Sequence, residues 1–267
     1  DYWGVGKASK PMLPLIAIPT TAGTGSECQS FALISDAVTH AKMACGDPKA
    51  MAKVAILDPE LTLSQPARVT ACTGIDAVAH AVESAVTRKR NETSQQYSRV
   101  AFGLLSQSLP TVLTKPNDVE ARGLMLLGAA FAGTAIEHSM LGAAHSAANP
   151  LTAHFDVIHG QAVGLMLPHV VRFNGEDEVI ARAYAELVTG TTAASINGVP
   201  AHESLASLLE DFMDAAGMPR DLKDCGVDAT KIDLLSEEAA AQWTASFNPR
   251  DITALDFKGL YSRAFGS

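Results

Sequence analysis

The sequence predicts an α/β segment followed by an all-helical domain, and three observations carry that prediction. Short runs of Val, Ile and Leu, separated by turn residues, occupy the first 63 positions. From Pro66 onward the patterning is helical almost throughout, rich in alanine and punctuated by proline. The composition is 47% apolar with 18% charged residues, enough for a sizeable core and too apolar for disorder. The expected division is an α/β portion over 1–63 and an all-helical portion over 64–267.

Strands are predicted over 13–20, 31–35 and 54–57. The run Pro11 to Ile18 is apolar enough for a buried strand, and it ends in the turn Thr20-Thr21-Ala22-Gly23-Thr24-Gly25. Asp47-Pro48 and Asp58-Pro59 punctuate the rest of this region. Pro66 suits the first turn of a helix that continues to about Val86. Further helices are expected at 93–109, 117–138, 142–148, 160–173, 176–189, 201–216, 232–244 and 254–264. Pro110, Pro150, Pro200, Pro219 and Pro249 are read as breaks, because proline inside a helix removes a hydrogen bond. There is no internal repeat and no low-complexity linker.

A net charge of −9 argues against nucleic acid or an anionic membrane as partner. The longest apolar stretch, Gly123 to Ile136, is too short to span a bilayer and lies between Arg122 and Glu137. No secretory signal is visible, and Cys28, Cys45, Cys72 and Cys225 show no paired spacing. They read as free thiols of a cytoplasmic protein. A small-molecule partner is the class left, and a homo-oligomer is compatible with all of this.

Two clusters stand out for chemistry. Asp76 and His80 are four apart in an apolar, proline-free helical run, so they share one face. A charge in that setting needs a partner. His145 and His159 follow, flanked by the small residues Gly142-Ala143-Ala144 and Ser146-Ala147-Ala148. Pro150 between them places the two histidines on different elements. One carboxylate and three imidazoles suit Fe(II) or Zn(II) better than Ca(II) or Mg(II). Taken singly, each residue also reads as a solvated pair or a satisfied histidine. Glu83, seven after Asp76, shares its face and reads as support for the cluster. His169 reads as structural, and His40, His138 and His202 as surface residues.

The segment Ile16-Ala-Ile-Pro-Thr-Thr-Ala-Gly-Thr-Gly-Ser-Glu27 resembles the signature of the iron-containing (group III) alcohol dehydrogenases. So do Leu57-Asp-Pro-Glu-Leu61, Gly74-Ile-Asp-Ala-Val-Ala-His-Ala-Val-Glu83, Ile158-His-Gly160 and Leu167-Pro-His-Val-Val-Arg-Phe-Asn174, in family order. The resemblance implies a dehydroquinate synthase-like fold. It makes 1–63 the C-terminal part of a dinucleotide-binding domain and 64–267 a complete helical metal-binding domain. It also implies that most of the nucleotide-binding domain, with its glycine-rich diphosphate loop, precedes Asp1. By the resemblance Asp76, His80, His145 and His159 are the metal ligands, and Thr20, Thr21 and Lys42 approach an NAD or NADP cofactor. The implied reaction moves a hydride between an alcohol, or an aldehyde or ketone, and that cofactor.

One departure is informative. Many members of the family carry a further histidine four residues after the first histidine of the second cluster, near the nicotinamide. This chain has Asn149 there, which hydrogen-bonds but does not titrate. Asn149 and His154 are therefore the candidates for handling the proton. The alternatives are a non-catalytic metal-binding fragment and a dehydroquinate synthase-like or polyol dehydrogenase relative.

Overall fold

The computed structural model describes residues 1–35, 42–188 and 198–266, leaving the side chains of Ser35 and Lys42 undescribed. His40 thus lies outside the described residues, as does the last residue of the helix expected over 176–189.

The first 63 residues form two small sheets. β1 (Gly4–Val5) runs parallel to β4 (Lys42–Gly46), which pairs antiparallel with β3 (Phe31–Ser35). β2 (Ile16–Ala17) runs parallel to β5 (Val54–Ala55) in the register Ile16↔Val54. β1 and β4 are additions to the sequence reading. The expected strand 13–20 shrinks to two paired residues, and it is not buried: Leu13 is 89% exposed and Ile16 60%. A parallel pair normally has both faces covered. Here Ile16, Val54 and Ala55 stay exposed and only Ala17 is partly buried.

A turn of 3₁₀ helix at Pro59–Thr62, capped by Asp58, leads into the helical region. α1 (Ala67–Ser84) starts after Pro66 and is buried on every side from Gly74 to Ser84. It packs against α2 (Glu92–Thr114), α3 (Val119–His138) and α5 (His159–Gly175). A helix buried all round has no polar stripe, which is why Ala71 to Val82 reads as nearly continuous apolar sequence. α4 (Ala143–Phe155) packs on α5 and on α8 (Ile232–Ala241). α6 (Glu178–Val188) and α7 (Ala201–Ala215) flank α5, and α9 (Ala254–Ala264) closes the bundle against α5 and α8. The core is one contiguous cluster that includes Phe102, Leu105 and Leu109, spaced along one face of α2.

The caps explain several boundaries. Asn91 accepts from the Ser94 amide while the Ser94 hydroxyl accepts from the Asn91 amide, a reciprocal box that starts α2. Asp118 and Thr253 cap α3 and α9. Two of the proline breaks do not occur: α2 runs through Pro110 and α4 through Pro150. Pro110 is on the exposed face, where water can take the carbonyl it frees. Pro150, which frees the Ser146 carbonyl, is buried, and the Tyr261 hydroxyl packed beside it donates to the next carbonyl, that of Ala147, at 2.7 Å. Packing therefore outweighs the local cost of proline. In the other direction α8 stops at Ala241, and Trp243–Phe247 is a separate 3₁₀ turn. Among the described residues α3 alone is long and apolar enough to cross a membrane. Here it is a core helix packed against α1 and α2. All four cysteines are free thiols.

Candidate metal centre and its cavity

α1 supplies Asp76 and His80 one turn apart, both about 5% exposed. α4 brings His145 in from its first turn, and the first residue of α5 is His159. Between them Asp156 takes a left-handed conformation, φ 53°, which ends α4 and turns the chain. The two second-cluster histidines do sit on different elements, although Pro150 is not what separates them. Gly160 makes the α1–α5 approach: a Cβ there would lie 2.0 Å from the Cys72 carbonyl oxygen of α1. Its lack of a side chain lets α5 lie against α1 and seats His159 beside Asp76.

Three imidazole Nε2 atoms converge on one carboxylate oxygen. Asp76 Oδ1 lies 3.5 Å from His80, 3.4 Å from His145 and 3.8 Å from His159. Asp76, His145 and His159 place their donor atoms within 4.8 Å of one another, and His80 joins through Asp76 and stacks on the His145 ring at 4.9 Å. Asp76 Oδ1 and His145 Nε2 are buried yet make no well-formed hydrogen bond. Orphaned buried polar atoms are costly. A shared ion removes the cost, and four-coordinate sites with bonds of about 2.1 Å set ligand atoms roughly 3.4 Å apart. The donor set therefore fits a divalent metal.

The electrostatics keep the carboxylate ionised and divide the rings: His80 is neutral and free to ligate, whereas His145 carries a proton that an incoming ion would displace from Nε2. Burial alone would push the Asp76 carboxyl up, but His80, His145 and His159 outweigh it and hold the group well below the usual carboxylate range. Burial keeps the His80 ring neutral, with its pKa lowered despite Asp76. For His145 burial also acts downward, but the carboxylates of Glu83 and Asp76 overcome it and lift the ring to about 9. Glu83, on the same face of α1, is the supporting group: Oε2 accepts from His145 Nδ1, and Oε1 accepts from the Ala144 amide at 2.7 Å. This fixes the tautomer that turns Nε2 toward Asp76.

The loop before β3 docks onto these helices. A Cβ on Gly23 would meet Thr73 of α1 at 2.6 Å, and one on Gly25 would meet the Ala129 carbonyl of α3 at 2.4 Å. The glycines of the Thr20–Glu27 turn thus serve close backbone packing. Ser30 then ties the loop to α3, its amide and hydroxyl donating to the two oxygens of Glu137 at 2.8 and 2.6 Å.

A cavity of about 450 Å³ opens over the cluster, with Asp76, His80, His145 and His159 in its wall. Asn149 lines it too, and its Nδ2 donates to Gln242 Oε1 at 3.1 Å. His154 does not line it. His154 pairs with Glu238 of α8 at 2.7 Å, half-exposed, so the structure separates it from the site. Thr20 is exposed, and Thr21 lines a different, much smaller pocket with Thr73 and Arg122. The Lys42 side chain lies outside the described residues. Sequence reasoning missed Phe31, Trp243 and Gln242, which meet at the cavity from distant parts of the chain. None carries a local spacing signal, so nothing short of the fold could have joined them.

Comparison with known proteins follows this geometry. A profile described as "Fe-containing alcohol dehydrogenase family, C-terminal" matches residues 70–265, and one described as "Iron-containing alcohol dehydrogenase" matches residues 1–59. The NAD-dependent methanol dehydrogenase of Bacillus methanolicus is 33% identical over 99% of this chain and 69% of its own length. Long-chain-alcohol dehydrogenase 1 of Geobacillus thermodenitrificans (strain NG80-2) is 32% identical over 98% of this chain and 66% of its own. The crystal structure of a 1,3-propanediol oxidoreductase superposes with a TM-score of 0.93 at 28% identity, over 99% of this chain and 69% of that one. An alcohol dehydrogenase from Oenococcus oeni gives 0.92 at 30% identity, with the same coverages. The chain spans 62–69% of the length of such curated relatives. With its helical region, its histidine–aspartate cluster and both profiles in agreement, the chain belongs to the iron-containing alcohol dehydrogenase family of metal-dependent oxidoreductases.

Proposed function

We propose that Asp76, His80, His145 and His159 hold one divalent ion, Fe(II) or Zn(II), in an alcohol dehydrogenase. It exchanges a hydride between a small alcohol, or the matching aldehyde or ketone, and NAD or NADP. The single observation that carries this is the convergence of three Nε2 atoms within 3.8 Å of Asp76 Oδ1. When bound, the ion supplies a Lewis acid for the substrate oxygen.

The chain's own residues do the rest. Asp76 contributes the one negative charge, so a divalent ion keeps net positive character. Glu83 holds His145 in the ligating tautomer. The buried, alanine-rich walls of α1 and α4 keep water from the ligands' rear side. Asn149 and Gln242, joined to each other, orient oxygen atoms by hydrogen bonding and transfer no proton themselves. The substrate proton therefore leaves through solvent at the cavity mouth, and His154 has no part in it. Residues 1–63 are assigned to the nucleotide-binding portion, 64–267 to the metal-binding portion, and the enzyme to the cytoplasm. Thr20, Thr21 and Lys42 are assigned to cofactor contact.

Metal analysis tests the assignment. The purified chain should take up one zinc or iron per molecule, and His159→Ala should weaken that uptake by about a hundredfold, since one ligand is lost. Full occupancy in His159→Ala would sink the ligand set. A steady-state assay of the longer native enzyme with NAD, NADP and simple alcohols then reads the reaction.

A further inference from the structure

Arg122, in the first turn of α3, is a buried cation, 4% exposed, with no anion beside it. Nε donates to the Pro116 carbonyl, and Nη1 to the Thr62 carbonyl at 2.6 Å. Nη2 makes no hydrogen bond among the described residues, and no carboxylate among them pairs with the group. Asp118 caps the helix through the Ala121 amide instead, and Glu120 is exposed. Carbonyl oxygens accept the guanidinium protons but cancel none of the charge, so burial lowers its pKa unopposed. A cation in the first turn also meets the positive end of the helix dipole, where an anion is favoured.

Arg122 lines a pocket of about 10 Å³, room for one water-sized body. Thr21 reaches it from the loop after β2, Thr62 and Gln65 from the entry to α1, and Thr70 and Thr73 from the first two turns of α1. No acid lines it among the described residues. Two of the hydroxyls already donate elsewhere, Thr62 to the Pro59 carbonyl and Thr73 to that of Val69. The Thr70 hydroxyl is buried with no hydrogen-bond partner. An unpaired guanidinium and an orphan hydroxyl thus border one small space.

We propose that this pocket is a site for one monatomic anion of the chloride class, held by Arg122 and the Thr70 hydroxyl. Its size excludes phosphate, sulfate and carboxylates. A water would give the hydroxyl a partner and leave the charge uncompensated, whereas a halide accepts from both groups and neutralises the guanidinium. The whole chain carries a net charge of −9, so a general attraction for anions is not the source. The occupied site pins the Thr21 loop and the Pro59–Thr62 turn to α1 and α3, which makes the attachment of the stranded segment to the bundle depend on halide.

The test reads thermal unfolding of the chain in sodium chloride, bromide and gluconate at equal ionic strength, gluconate being too large to enter. Chloride and bromide should raise Tm beyond gluconate, by an amount that grows with the logarithm of their concentration above the Kd. Thr70→Val keeps the side-chain shape and removes the hydroxyl. In gluconate it should unfold at the parent's temperature or above it, since an orphan polar group is lost. In chloride it should fall below the parent, with halide affinity about tenfold weaker, because the lost hydrogen bond is to a charged acceptor. Crystals soaked in bromide should show an anomalous peak between Arg122 and Thr70. Equal Tm in chloride and gluconate, an undiminished chloride response in Thr70→Val, equal destabilisation by Thr70→Val in both salts, or a pocket that holds water alone after the bromide soak would each overturn the proposal.

Discussion

The stranded segment and the helical region use similar apolar residues to opposite effect. In α2, Phe102, Leu105 and Leu109 are fully buried. In and around β2 and β5, Leu13, Ile16 and Val54 are 89%, 60% and 48% exposed. The helical region closes on itself because α1 can be surrounded by α2, α3 and α5. The β2–β5 pair is two residues long on each strand and parallel, an arrangement that stands only when other layers cover it. Hydrophobic sequence says that a segment wants cover. It does not say whether the cover lies within reach.

The contrast can be broken or sharpened by mutation. The largest effect should come from Phe102→Ala, which leaves a cavity in the helical core and should cost about 4 kcal/mol in denaturant unfolding. Ile16→Ala should change the same transition by less than about 0.5 kcal/mol. Comparable losses at both positions would mean that the stranded segment is packed as tightly as the bundle.

Gly160→Ala should come next, at up to about 3 kcal/mol, because the added methyl meets a backbone carbonyl, not a movable side chain. The α5 start would shift, so metal affinity should fall along with stability. A stable Gly160→Ala protein with native zinc affinity would show that α1 and α5 can part without moving His159.

The smallest effect concerns pH and lies wholly within the bundle. His169 on α5 is pushed down to about 4, first by burial and then by Arg172, Arg263 and Arg220, against the opposing pull of Glu210. The folded ring stays neutral where the unfolded one, with an ordinary pKa of 6.5, takes up a proton. Stability is therefore fully present above pH 6.5 and declines as pH falls toward 4, with no further loss from this group below that. His169→Gln should unfold with a shallower dependence across that window. Identical pH dependence in the two proteins would show that His169 is hydrated and ordinary.

The site was legible in part, and the pattern of what was legible is physical. Asp76, His80 and Glu83 share one helix face by spacing alone, and the structure puts all three at one cluster. His145 and His159 could be assigned to separate elements from the intervening chain, but the position of the break was misread. Pro150 is carried inside α4, and the turn falls at Asp156. Phe31, Trp243 and Gln242 were invisible, since their relevance depends on contacts between distant segments. His154 looked relevant from its place between two histidines and turns out to pair with Glu238.

By itself the sequence determined what short-range chemistry controls. That covers the strand-to-helix change near residue 64, most helix spans, the free thiols and the carboxylate–imidazole face of α1. Only the tertiary structure decided which apolar runs are covered, whether a proline stops a helix, why Gly23, Gly25 and Gly160 lack side chains, and which distant residues line the cavity with the histidines. Spacing along a helix follows from 3.6 residues per turn and is written locally. Cover, close backbone approach and cavity lining depend on which surfaces meet, and that is decided by packing over the whole chain.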